Sequence, residues 1–337
     1  MLRGRNRIIH TILITIFVIS ITIVDTAWAK SLYVATTGSD SVSYSSNSVT
    51  SPWKTVKQAI YNARAGDVVY FRAGTYDITS QIETKNNGYD GTADAPVVFT
   101  RYGDEVVIWR STLAGTVIRV GRDHHHFQYL NFQHQPSGSM PGESGFIRSG
   151  YEESSNGLWV KYCTFTMSSR GDNYGSVHLK NSESCTNLEI THNRITHTGT
   201  SASTNSSGII CFGNNSFKIN NNEISGPPMG IYLKHANTGT SSSVNGEVRN
   251  NFVKSTTRRA FFCNFNYILI ENNIFHSDNT GSSDGNVQIN EDNGGPGGDY
   301  NTIRNNTIMC GIQFHRDSGG ATNNKFYGNI VGGGKLW

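Results

Sequence analysis

The sequence predicts an all-β chain folded as a single-stranded right-handed parallel β-helix, a solenoid with a short N-terminal capping α-helix. Three observations carry this. From about residue 125 one motif recurs: alternating apolar residues, an Asn-Asn pair or a near relative, then a second apolar pair. Its copies are "NLEITHNRITH", "SFKINNNEISG", "NGEVRNNFVKS", "YILIENNIFHS" and "YNTIRNNTIMC", with "GLWVKYCTFTM" and "HHFQYLNFQH" as looser earlier ones. Between the copies runs a second series of short strands with period-two alternation, and helical spacing is nearly absent throughout that region. Two short strands per coil, repeated this many times, stack into a solenoid rather than a sandwich, and parallel crossovers are right-handed.

Residues 1–29 stand apart. Arg3, Arg5 and Arg7 lead into an apolar run from Ile8 to Val24, and Ala27-Trp28-Ala29 offers a small-x-small cleavage site. This is the pattern of a secretory signal peptide. An uncleaved anchor is the rival, since the run approaches the length needed to span a bilayer. Cleavage leaves residues 30–337 as the β-helix domain, with 30–76 as its capping region and a secreted, extracellular product. In that region Val56, Ile60 and Ala63 lie at helical spacing, entered through Ser51-Pro52 and closed by Gly66. "DVVYFRAGTY" follows as strand and turn, and the helix is placed to cover the open end of the solenoid. The final "GNIVGGGKLW" shows no closing helix; either the last coil stays open or Leu336 and Trp337 fold over it.

The recurring Asn residues, Asn193, Asn222, Asn251, Asn273 and Asn306, fall 29, 29, 22 and 33 residues apart. Asn tolerates left-handed backbone at a tight bend, and stacked amides can bond along the axis of a parallel sheet. That structural role accounts for them without catalysis.

The whole chain carries a formal charge of +3, and loss of three Arg and Asp25 with the leader reduces it to +1. A nearly neutral protein lacks the basic excess that non-specific binding to nucleic acid or anionic lipid requires. The five cysteines, Cys163, Cys185, Cys211, Cys263 and Cys310, are odd in number and form no CxxC pair. Three sit in apolar strand-like runs as small buried hydrophobes. His124-His125-His126 resembles a metal tract, but neighbouring strand residues point to opposite faces.

"LYVATTGSDS", the "WKTVKQAI" helix, "AGDVVYFRAGTY" and the Asn-Asn coils together resemble the pectate-lyase-like superfamily, a resemblance that covers essentially the whole of residues 30–337. It implies a secreted polysaccharide lyase-like protein, although hydrolases, epimerases and non-catalytic adhesins share the fold.

The second strand series supplies the candidate site. With Val177/Leu179, Ile210/Phe212, Ile231/Leu233, Phe261/Cys263, Val287/Ile289 and Ile312/Phe314 inside, alternation sends two columns outward. One is His178, Cys211, Tyr232, Phe262, Gln288 and Gln313. The other is Lys180, Gly213, Lys234, Asn264, Asn290 and His315. Such a strip suits sugars, whose rings stack on aromatics and whose hydroxyls bond amides. Polar insertions from Gln135 to Asn156, Thr198 to Ser207, His235 to Gly246, Ser277 to Gly285 and Glu291 to Asp299 would wall the groove.

β-Elimination from an acidic polysaccharide needs a base at the proton α to a uronate carboxylate and a cation to neutralise that carboxylate. Lys234 is the expected base, with His235, Tyr232 and His178 as other proton carriers. Arg258 and Arg259, 24 and 25 residues on, suit the carboxylate. The pairing is similar to that of the chondroitinase B and alginate lyase family, whose Ca²⁺-binding Glu residues have no counterpart in "ISGPPMG". Glu291, Asp292 and Asp317 are the candidates for a Ca²⁺ loop, for hydrolytic carboxylates at acid/base spacing, or for a simple turn. The expected partner is a uronate-containing polysaccharide met by a monomer. Three activities stay open: lyase, hydrolase, and carbohydrate binding without chemistry.

Overall fold

The computed structural model describes residues 29–138, 140–149, 155–168, 171–180, 185–198, 205–213, 215–234, 243–279, 287–289, 297–314 and 321–332. Among these residues the strands form three sheets of eleven, nine and ten strands, and every pairing between named strands is parallel. Each full coil contributes one strand to each sheet.

Three strands per coil, rather than two, corrects the sequence reading. Each Asn motif holds two strands with a bend between them: "NLEITHNRITH" contains the end of Cys185–Thr191 in the first sheet and Arg194–Thr198 in the third. The bend was hidden because apolar residues run on both sides of it. The first residue of the bend takes the left-handed conformation, as at His192, Asn221, Asn250, Asn272 and Asn305, with φ from 55° to 57°. The second builds a buried ladder. Asn193 donates its backbone N–H and its Nδ2 to Asn222 Oδ1, each at 3.0 Å, and the pattern repeats through Asn251, Asn273, Asn306 and Asn329. Each Nδ2 also bonds a carbonyl one coil back, as Asn251 to Ile219 O at 2.8 Å. Both donors and the acceptor are thus satisfied away from water, which a buried amide requires.

The helix spans Val56–Asn62 and buries Val56, Ala59 and Ile60. It begins later than Ser51-Pro52: Thr55 is the N-cap, its side chain accepting from Gln58 N at 3.1 Å. The insertion from Gln135 to Asn156 is not all loop, since Gly145–Ser149 is a strand of the second sheet. Flanking glycines and only two consecutive apolar residues concealed it. Residues 1–28, which hold nearly all of the leader, and 333–337 lie outside the described residues.

All five cysteines are buried thiols outside any disulfide. Burial pushes the Cys163 and Cys263 thiols up to about 12, so neither is a nucleophile. The His tract divides as its alternation requires. His125 bonds Tyr89 O through Nε2 at 3.0 Å, while His126 stacks on Trp159 with ring centroids 3.9 Å apart.

Candidate functional site

The second sheet displays its outer face through a register that can be followed strand by strand. Glu83 pairs with Arg119, Arg119 with Arg148, Arg148 with His178, and His178 with Ile210. The column continues through Tyr232, Phe262, Gln288 and Gln313. Two residues further along the strands, Lys180, Phe212 and Lys234 form a second column.

Ile210 and Phe212 therefore stand where Cys211 and Gly213 were expected, and Cys211 turns inward between Leu179 and Leu233. Alternation could not settle the phase of Ser207–Phe212, because apolar side chains occupy both faces and all six residues are buried. The displaced residues join Met229, Tyr232 and Phe262 in an apolar cluster separate from the interior core.

That cluster changes the character of the strip. His178 is fully buried, and Tyr232, Phe262 and Gln288 are only 4–5% exposed. Asn264 is also buried, its backbone bonding Leu233 O at 3.1 Å. The rings form a continuous edge-to-face chain. His178 meets Phe212 at 5.2 Å, Phe212 meets Tyr232 at 5.5 Å, and Tyr232 meets Phe262 at 5.1 Å. The Arg259 guanidinium closes it, 5.4 Å from the Phe262 centroid. Faces used in this way support one another rather than offering stacking platforms. On the C-terminal side Gln288 Nε2 donates to Gln313 Oε1 at 2.8 Å.

The two arginines proposed from sequence separate. Arg258 Nη1 donates to Asn205 Oδ1 at 2.7 Å, at the entry edge of the sheet. Arg259 reaches along the face to the aromatic chain. Lys234 ends the strand Met229–Lys234 at the opposite edge, half-buried. It shares a register column with Lys180 two coils away, about 10 Å at the usual strand spacing. His235, Asn290, Glu291, Asp292, His315 and Asp317 lie outside the described residues. Among the described residues no three His, Cys, Asp or Glu side chains gather as a metal-binding set.

Toward the N-terminal end the same face becomes cationic, a feature that the sequence reading missed. Arg119 faces Glu83 at 3.3 Å. Arg148 lies 3.8 Å from the Glu143 carboxylate, which also pairs with Lys180. Between them His178 donates from Nδ1 to Ser144 O, 3.2 Å away, while its buried Nε2 has no hydrogen-bond partner among the described residues. Burial first, then the charge of Arg148, hold its pKa down at about 3, so the ring is neutral. A pocket of about 400 Å³ opens beside Arg148 and Glu143, walled by Leu113, Gly115 and Pro141. The signal for Arg119 and Arg148 was present in "VIRV" and "FIRS", which place Arg at the same display position as His178.

No family model matches the chain. Over 89 residues, 26% of the chain, the sequence is 36% identical to pectate lyase PEL9 of Emericella nidulans, of which that match spans 20%. The structure superposes on pectate lyase Pel9A with a TM-score of 0.50 at 14% identity, over 89% of this chain and 80% of that one. It superposes equally, with a TM-score of 0.50 at 11% identity, on XylC in complex with xylose, over 84% of this chain and 69% of that one. Three parallel sheets and a buried Asn ladder give the chain a right-handed parallel β-helix, the fold it shares with these solved structures.

Proposed function

We propose that the chain is a secreted polysaccharide lyase that binds an acidic glycan along the outer face of the second sheet and cleaves it by β-elimination. The observation that carries this reading is the register itself, which sets Arg148, Lys180, Lys234 and the Arg259 guanidinium on one face. The stretch of sequence shared with a pectate lyase supports it.

In this scheme Arg259 takes the uronate carboxylate and stabilises the charge that develops as the α-proton leaves. Its place over Phe262 favours it for this over Arg258, whose guanidinium is held at Asn205. Lys234, in its uncharged form, removes the proton. The buried aromatic chain fixes the strands that carry these groups. Residues 1–29 serve as the cleaved leader.

Incubation with pectate, alginate and glycosaminoglycans, followed by ultraviolet absorbance, tests the reading. A rise in absorbance from the unsaturated product is expected on at least one acidic polymer. Lys234→Ala should lower that rate by about a hundredfold or more while the protein stays folded. New reducing ends without absorbance would make the protein a hydrolase, and binding without either would make it a carbohydrate-binding module.

A further inference from the structure

We propose that Glu143 is an internal stand-in for a sugar carboxylate, occupying a cationic subsite built by Arg148 and Lys180 until an acidic glycan displaces it. This rests on the reading that an acidic glycan lies along the face. It adds a second anchoring point, about 10 Å from Lys234, and a reason for discrimination against neutral sugars.

Four features point to displacement rather than to a permanent ion pair. One carboxylate serves two cations, approaching Lys180 closely and Arg148 only at 3.8 Å. The cationic side chains are 13–14% exposed, whereas that of Glu143 is 39% exposed and can leave for solvent. Glu143 also holds a left-handed backbone, φ 59°, which a residue with a Cβ adopts at a cost. Finally, the pocket of about 400 Å³ is lined by both Glu143 and Arg148 and is of a size to admit a sugar unit.

The chemistry of exchange is symmetrical. A uronate carboxylate entering the pocket offers Arg148 and Lys180 the same charge-assisted bonds that Glu143 offers. The planar Arg148 fork can meet such a carboxylate with two parallel bonds. A neutral sugar supplies no replacement charge, so it leaves Glu143 paired with Arg148 and Lys180. Ser144, next in the chain, holds His178 through its carbonyl, so release of Glu143 acts beside a ring whose Nε2 has no hydrogen-bond partner among the described residues.

The test is calorimetric titration of the full chain carrying Lys234→Ala, which prevents turnover, with oligogalacturonate, oligoalginate and neutral xylo-oligosaccharides. Glu143→Gln should bind the acidic oligomers about tenfold more tightly and leave the neutral ones unchanged, with the gain shrinking at high salt. Arg148→Gln should weaken acidic binding by about tenfold. Glu143→Asp keeps the charge but shortens its reach, and should fall between wild type and Glu143→Gln; it serves if the Gln variant does not fold. Unchanged or weaker acidic binding by both Glu143 variants would overturn the inference while leaving the lyase reading intact. Absence of acidic binding by the parent protein would overturn both.

Discussion

The bend between the first and third sheets and the outer face of the second sheet are made by the same coils under opposite rules. At the bend each coil repeats the one before: a left-handed residue, then an Asn whose amide is fully bonded to its neighbours. On the outer face no one residue type runs through the stack. It runs from arginines through a buried aromatic chain to paired glutamines. A repeated, internally satisfied element can only hold the stack together. A varied face on a rigid stack can be specialised without disturbing it.

Substitutions should separate the two regions, the largest effect falling in the ladder. Asn251→Ala removes the acceptor for two donors of Asn222 and the amide that bonds Ile219 O. Stranded buried groups cost about 1–3 kcal/mol each, so denaturant unfolding should show a loss of roughly 3–5 kcal/mol. A loss below about 1 kcal/mol would mean that the ladder is dispensable.

Acid provides the next probe. Burial holds His178 and His197 at about 3 and His134 at about 4, while His126 is lowered to about 3 by burial and then by Lys161. Unfolded, each would titrate near 6.5. Between those values only the unfolded chain takes up the protons, so this contribution to stability is complete above pH 6.5 and declines as pH falls toward 4. Thermal unfolding across that window should follow this slope, and removing His134 by His134→Gln should flatten it. A melting temperature independent of pH there would contradict the assignment of neutral buried rings.

Smaller effects are expected on the partly buried ion pairs of the first sheet. Along the first sheet Glu189 pairs with Lys161 and lies 3.5 Å from Lys218. Glu189→Gln should cost no more than about 1 kcal/mol and should matter less in high salt. Smallest of all is the expected effect of Lys234→Ala on stability, within about 0.5 kcal/mol, against its large effect on turnover. A strongly destabilised Lys234→Ala would move that residue from the functional face to the structural class.

Much of this architecture could be read from residue order because it depends on local repetition. The Asn spacing exposed the coil, and Val56 and Ile60 exposed the helix. The ladder was also legible in kind, since a recurring amide at a bend has few other uses. The second strand of each motif was not, because an apolar run continues across the left-handed residue without a break in pattern.

The sequence alone thus determined a stacked all-β solenoid, its cap and the strands that would display a face. Tertiary structure decided the phase of Ser207–Phe212 and the burial of Tyr232 and Phe262. It also decided the gathering of Arg148 and Lys180 around the Glu143 carboxylate, beside a pocket lined by Glu143 and Arg148. The physical reason is register: a strand that is apolar on both faces does not reveal which face is inside, and groups 32 residues apart become neighbours only when coils stack.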